Sequence, residues 1–241
     1  MRTSNKIILG TFLAPLVALT GTNLALYAKY KSGNYIAMKT VVEDRFTRKT
    51  LKNISNIAVY GLNNFNIMPA DSLKLEIEKD GTSHLHYTVI GDSLVIHGDS
   101  IITRPNGSSD IQRSYQAVNL YLPTAATITA DNSDISLQGN KDSLKAASYH
   151  FSLTNSSGFK IRENNYNDSG HTYFRELTIQ ASHSSGIELT GYCRVFDMRL
   201  TLLESVFTDN GASIDKLMID ADKGSNITLK GDNLRRMNAA H

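Results

Sequence analysis

Three observations predict an all-β fold, a single-stack parallel β-helix (a solenoid with coils of about 20 to 26 residues), with an N-terminal transmembrane helix. The first is a recurring phrase. Ile128-Thr-Ala130 leads through Asn132-Ser133 to Ile135-Ser-Leu137-Gln-Gly139. Ile179-Gln-Ala181 leads through Ser184-Ser185 to Ile187-Glu-Leu189-Thr-Gly191, and Ile219-Asp-Ala221 through Gly224-Ser225 to Ile227-Thr-Leu229-Lys-Gly231. The second is period-two alternation of apolar and polar residues from Ile54 onward with no helical stretch between, the pattern of strands with one buried face. The third is an uncharged run of 22 residues, Ile7 to Ala28, behind the basic Arg2 and Lys6.

Taken in order, the uncharged run would reach roughly 33 Å as a helix, enough to cross a hydrocarbon core. It reads as an anchor over residues 1–31, with the membrane contacted through residues 7–28. A cleaved signal peptide and a buried helix are the alternatives, and Pro15, Gly10, Gly21 and Asn23 dilute the apolar signal. No cysteine lies near it for a lipid anchor. Lys29, Lys31 and Lys39 rival Arg2 and Lys6 in the positive-inside count, but long downstream domains translocate regardless of such charges. The expected placement is therefore a single-pass anchor in a bacterial inner membrane, the β domain on its periplasmic or extracellular side.

Residues 32–52 mix Gly33, Asn34 and charges of both signs and read as a linker; a helix over residues 35–45 is disfavoured by Thr40, Val41 and Val42. Residues 53–233 form the β domain, and 234–241 a tail. Within the domain, Ile57-Ala-Val59, Phe65-Asn-Ile67 and Leu73-Lys-Leu75-Glu-Ile77 alternate cleanly, and Asp80-Gly81 and Gly91-Asp92 are turn signals. Pro105 to Asp110 is a loop, and Pro123 stops the strand at Leu122. Local antiparallel pairs are compatible with residues 54–104. Gly191, Gly211 and Gly231 then mark units of 20 residues, and the 52 residues from Gly139 to Gly191 make two longer units, lengthened by a polar insertion over 166–171.

A unit this short cannot bury its apolar face alone, so the repeats must stack about 4.8 Å apart with Ile, Leu, Val and Ala in columns. Ala130, Ala181 and Ala221 are expected in one narrow corner, and Gly139, Gly191, Gly211 and Gly231 in corners needing positive φ or close backbone approach. Asn132-Ser133, Ser156-Ser157, Ser184-Ser185 and Ser225-Asn226 are expected to satisfy exposed turn amides. An antiparallel sandwich is the competing fold. Repetition of one phrase argues against it, since sandwich strands need not resemble one another.

Ile57-Ala-Val59-Tyr-Gly61 with Phe65-Asn-Ile67, the Leu75-Glu-Ile77-Glu strand and the Ser-Ser-x-Ile-x-Leu-x-Gly copies resemble the auto-transporter adhesin head GIN domain. The resemblance covers about residues 50 to 233. It implies an exported, β-helical domain of the kind found in envelope proteins of Bacteroidota-type bacteria, with no catalytic residues to carry over.

The residues themselves offer little chemistry. Cys193 is the only cysteine, which excludes an intramolecular disulfide and multi-cysteine metal sites, and its neighbours mark it as a passive residue. His84-x-His86 has ligand-like spacing but no third ligand nearby; it reads as a solvated strand face, and His150 and His171 as surface residues. Five Asn-x-Ser/Thr sequons follow from a composition rich in Asn and Ser. Material for a polysaccharide-cleaving site exists in Lys160, Arg162, Glu163, Asp197, Arg199, Asp220, Asp222 and Lys223, but carboxylates do not recur at one place in successive units. No catalytic, cofactor or metal residue is assigned. Net charge is +2, too even for a nucleic-acid partner.

The expected function is a noncatalytic adhesin-like or scaffold module, not an enzyme, binding an envelope protein or glycan. A carbohydrate-active β-helix and a self-assembling scaffold are the alternatives. Recognition is expected in Glu188, Thr190, Thr228 and Lys230 and in the insertion from Asn164 to His171.

Overall fold

The computed structural model describes residues 3–33, 45–79, 85–98, 100–103, 109–123, 125–162 and 171–239. The Asp80-Gly81 turn, His84, residues 105–108, nearly all of the 35–45 segment and the 164–170 insertion lie outside them, while Ser109 and Asp110, expected in a loop, begin a strand. The chain divides into two units, Met1–Arg45 and Phe46–His241.

The first unit holds helix α1, Thr3–Lys31. Here the sequence expectation is corrected: among the described residues no helix is long and apolar enough to cross a membrane. The run from Ile7 to Ala28 lacks charge, but Thr11, Thr20, Thr22, Asn23, two glycines and Pro15 keep it from being apolar throughout. Thr20 and Thr22 return their hydroxyls to the helix, donating to the carbonyls of Leu16 at 2.7 Å and Ala18 at 2.9 Å.

The second unit is all-β and carries a second correction, because it is not a single closed parallel stack. Two mixed, mostly parallel sheets hold the strands β1 to β19, apart from a small hairpin of β7 (Ser100–Thr103) and β8 (Ser109–Gln112). Sheet 1 runs β1 (Phe46–Thr50), β4 (Lys74–Glu78), β9 (Val118–Leu122), β3 (Phe65–Pro69), β11 (Asp134–Leu137), β13 (Gly158–Ile161), β15 (Gly186–Thr190), β17 (Val206–Asn210), β19 (Asn226–Thr228). Sheet 2 runs β18 (Ser213–Ala221), β16 (Cys193–Leu203), β14 (Thr172–Ser182), β12 (Ala147–Thr154), β10 (Ala126–Asp131), β2 (Asn56–Tyr60), β6 (Ser93–His97), β5 (His86–Ile90).

From β10 onward successive strands alternate between the sheets and pair in parallel with the strand two places on. Each repeat therefore supplies one strand to each sheet. The amino-terminal half breaks the scheme with antiparallel pairs: β1 with β4, β4 with β9, and β5 with β6. A tight turn such as Gly91-Asp92 returns the chain directly beside itself, and direct return is antiparallel by geometry.

Facing inward, the columns follow the repeats. In sheet 1, Phe65, Ile135, Phe159, Ile187, Phe207 and Ile227 stand in register, ring alternating with branched aliphatic. In sheet 2, Ala130, Leu153, Ala181, Leu202 and Ala221 do likewise. The alanines are thus not a uniformly narrow corner. Small alternates with large, so layers interdigitate, and each buried large side chain contributes about 1.5–3 kcal/mol.

The turns from sheet 2 to sheet 1 hold the second repeated element. Asn132, Ser156, Ser184 and Glu204 take positive φ of 48°, 62°, 63° and 51°, and the next residue is in each case a serine that is at most 1% exposed: Ser133, Ser157, Ser185, Ser205. These serines do not serve exposed amides, as expected from sequence; they serve buried ones. The Leu62 N–H donates to Ser133 Oγ, the Ser133 N–H to Ser157 Oγ and the Ser205 N–H to Ser225 Oγ, each at 3.1 Å. Of the four glycines, Gly211 and Gly231 have φ of 102° and 61°, and a Cβ on Gly139 would lie 2.7 Å from the Phe174 ring. Gly191 meets only ordinary contacts.

Replacing Ser157 by alanine orphans the buried Ser133 N–H. Urea unfolding of Ser157→Ala is expected to show a loss of about 1–3 kcal/mol, several times that of Ser143→Ala at an exposed position.

Candidate functional site

Every strand of sheet 1 sends one outward side chain to the same height. In register these are Arg48, Glu76, Asn119, Asn66, Ser136, Lys160, Glu188, Thr208 and Thr228, a polar ladder crossing nine strands. Its two halves differ in physical character.

The amino-terminal half is covered. Glu76 and Asn66 are each 6% exposed although they belong to the outer face. Glu76 Oε1 accepts from Arg48 Nε at 2.9 Å and pairs with Lys74 Nζ at 2.6 Å, and Oε2 accepts from the Tyr121 hydroxyl at 3.0 Å. Asn66 Nδ2 donates to Asn64 and Asn119, both at 3.0 Å, and Arg162 Nη1 donates to Asn66 Oδ1 at 3.4 Å. Burial pushes the Glu76 carboxyl up, but the bonds from Lys74, Arg48 and Tyr121 together outweigh it and hold the group below its ordinary value. Tyr121 moves the other way, to about 12, through burial and its bond to Glu76.

The carboxyl-terminal half is open, and beside it lies a groove of about 520 Å³. The column that borders the ladder is Asp134, Gly158, Gly186, Val206, the first residue of each strand after the serine turn. The two glycines leave the sheet backbone bare there. Neither glycine has positive φ, so backbone conformation does not require glycine; a Cβ on Gly186 would meet nothing within 4 Å, whereas one on Gly158 would lie 2.6 Å from Asp134 Oδ1. Lys160, Glu188 and Thr208 stand along the groove, Asn63 and Asp134 close one end of it, and Ile135, Phe159 and Ile187 lie beneath.

Two anchors hold its rim. Arg113 donates from Nε to Asn132 Oδ1 at 2.7 Å and from Nη2 to the Ser156 carbonyl at 2.8 Å, and sits 3.2 Å from Asp134 Oδ1, so one guanidinium joins two successive turns. On the far side Asn210 Nδ2 donates to Glu188 Oε1 at 2.8 Å. Behind the groove an inward position that carries Leu189 in one strand carries Asp209 in the next. Asp209 is fully buried; Oδ1 accepts the Gly211 and Ala212 N–H groups at 2.8 and 2.7 Å, and Oδ2 accepts Asn233 Nδ2 at 2.9 Å and the Lys230 N–H at 3.3 Å. Asn233 opens helix α2 (Gly231–Ala239), which is thereby tied to the corner.

The residues singled out in the sequence fall on separate surfaces. Lys160 and Arg162 are on sheet 1, while Asp197 and Arg199 are on sheet 2 as a surface ion pair at 3.4 Å, with Lys216 3.3 Å from Asp197. Asp220 ends the outer face of β18, and Asp222 organises the following turn, accepting from the Glu204 N–H at 3.1 Å and Ser225 Oγ at 2.6 Å. Glu163 lies outside the described residues. His86, His150 and His171 are exposed, and no metal-binding cluster occurs among the described residues. Of the expected recognition residues, Glu188 and Thr228 belong to the ladder. Lys230 sits beyond it, and Thr190 is half-buried with its hydroxyl unpaired. The groove glycines were not foreseen. Their signal was a residue without side chain after the serine pairs, at Gly158 and Gly186, where the other repeats carry Asp134, Val206 or Asn226.

Fold and site together define an all-β protein of two facing sheets with a glycine-floored groove on one outer face. No protein-family model matches the chain, and no curated protein does. Among solved structures it is similar to a "putative adhesin" from Parabacteroides merdae, at 11% identity over 77% of this chain and 95% of that one with a TM-score of 0.32. It is also similar to a "putative adhesin" from Bacteroides fragilis, at 8% identity over 76% and 95% with a TM-score of 0.37. A "putative lipid binding protein" from Parabacteroides distasonis matches at 13% identity over 77% and 97%, with a TM-score of 0.28.

Two outcomes follow from the titratable groups. A depressed folded-state carboxyl stabilises above its unfolded value and stops doing so as pH falls through the folded one. Between neutral pH and acid, Glu76→Gln should therefore lose less stability than the parent chain, read as a flatter urea midpoint against pH. Cys193 is fully buried, donates to the Thr190 carbonyl at 3.3 Å, and has its thiol pushed up to about 12 by burial and by Asp209. Iodoacetamide at neutral pH should leave it unlabelled until denaturant is added.

Proposed function

We propose that the chain is a noncatalytic, adhesin-like binding module that works outside the bacterial cytoplasm and engages an envelope protein or glycan with the open half of the sheet 1 outer face. The groove over Gly158 and Gly186 carries this reading. A parallel sheet that only had to fold would gain from a side chain at Gly186, where a Cβ meets nothing within 4 Å, since glycine in a strand loses entropy and packs nothing; at Gly158 the Asp134 carboxylate already occupies that space, 2.6 Å from where a Cβ would stand. Val206, in the same column, occupies the equivalent place with a branched residue. Bare backbone is of use where another molecule must approach it closely. Ladder side chains of both charges and a hydroxyl beside that floor, Lys160, Glu188 and Thr208, supply directional contacts at the spacing of the strands, about 4.8 Å. The groups around the groove are a cation, two carboxylates, an amide and a hydroxyl, with Asp134 and Asn63 held by Arg113 and Glu188 by Asn210, which suits recognition of a polar, extended partner.

Binding of the full chain to a glycan array and to solubilised bacterial envelope proteins tests the proposal, with Gly186→Val as the paired variant. The variant should keep its unfolding midpoint within about 1 kcal/mol of the parent and lose at least about tenfold in affinity, because a valine fills the groove without straining the backbone. Equal binding by parent and variant, or no binding by either, would count against it.

A further inference from the structure

Strand β18 is the last of sheet 2 and pairs with β16 on one side only. Helix α2 packs against this strand and bonds through Asn233 to the Ala212 carbonyl just before it; beyond that contact the other side of the strand presents the backbone of the segment from Lys216 to Asp220. The apolar layer beneath is also cut short. Leu217 and Ile219 are only partly covered, whereas Met198 and Leu200, which precede them in their columns, are 0% and 2% exposed. In sheet 1 the column that buries Phe207 completely ends with Ile227 at 41% exposure.

We propose that this edge is a self-complementary dimer interface, in which β18 of two copies of the chain pairs antiparallel about Met218. The sequence of the strand selects the occupant. Lys216-Leu217-Met218-Ile219-Asp220 read in reverse sets acid opposite base at both ends, Leu217 opposite Ile219, and Met218 opposite itself. Residues directly opposite in an antiparallel pair share a face, so both ion pairs and the methionine contact form on the outer face. There Lys216 and Asp220 are exposed and Met218 is 51% exposed. Leu217 and Ile219 meet on the inner side, where each lacks the next member of its column. A two-fold axis makes the ion pair and the Leu217–Ile219 contact twice and places the Met218 contact on the axis. Parallel pairing in register would instead place lysine by lysine and aspartate by aspartate, so charge fixes the orientation. Sheet 2 then runs on through the contact from one copy to the other. The surface is separate from the groove of sheet 1, and dimerisation does not depend on what that groove binds.

Sedimentation velocity of the full chain across the micromolar range tests this with two exposed charge reversals. The parent chain should sediment as a dimer. Lys216→Asp and Asp220→Lys, each alone, set like charges opposite one another twice and should weaken association at least about tenfold. An equimolar mixture of the two variants should recover the dimer, because each acid again faces a base. Gly186→Val should associate as the parent does. A parent chain that stays monomeric, association indifferent to both reversals, or a mixture that fails to recover would each overturn the proposal.

Discussion

Four successive passages of the chain from sheet 2 to sheet 1, between β10 and β17, meet the same constraint: a sharp reversal brings amide groups into a place water does not reach, and they must be paired there. A left-handed residue followed by a buried serine solves it. The left-handed residue turns the chain, and the hydroxyl of the next repeat accepts the amide of the one before. The backbone ladder itself continues through the turn, with Gly158, Gly186, Val206 and Asn226 donating to the carbonyls of Ser133, Ser157, Ser185 and Ser205. Register in both sheets follows from this, since a slip by one residue would expose the serine and bury a neighbour with no partner for its amide. The columns of phenylalanine, isoleucine, leucine and alanine then stack because the turns hold them at equal height.

A turn fixed in this way leaves the first residue of each sheet 1 strand free to vary, because its amide is already paired and its side chain points outward. That freedom is what places Asp134, Gly158, Gly186 and Val206 side by side and opens the groove. The other half of the same face has been given up to stability. There β1 crosses antiparallel, Arg48 reaches Glu76, and a carboxylate that alternation assigns to solvent becomes buried with three donors around it. One polar ladder thus serves as a covered network at one end and as an open surface at the other.

Much of this was legible in the chain and some was not. The recurring Ile-x-Ala and Ile-x-Leu phrases announce strands that pair with their own counterparts, because only in-register parallel pairing repays repetition. They do not say how many strands each repeat spends per turn, and two strands per repeat give two facing sheets. The β1 strand, Phe46-Thr-Arg-Lys-Thr50, has one large apolar residue and no alternation, so its pairing with β4 depends on tertiary contact alone. The Ile7 to Ala28 run shows that absence of charge is a poorer guide than hydropathy where threonines and glycines intervene. Asp209 stands where the repeat has leucine, and only the corner geometry explains it. Gly186 looks like a turn residue in sequence because it follows two serines; in the fold it is strand.

The pairing of Asp209 has a consequence for how the chain is made. Its first oxygen is satisfied within the corner, by Gly211 and Ala212, but its second waits for Lys230 and Asn233, more than twenty residues further along. A chain emerging from a ribosome can therefore lay down repeat after repeat and still hold the Asp209 carboxylate half unpaired. Only arrival of the α2 segment completes it. The last segment to be made is thus the one that closes the corner, because loss of Lys230 and Asn233 removes both donors to the second Asp209 oxygen.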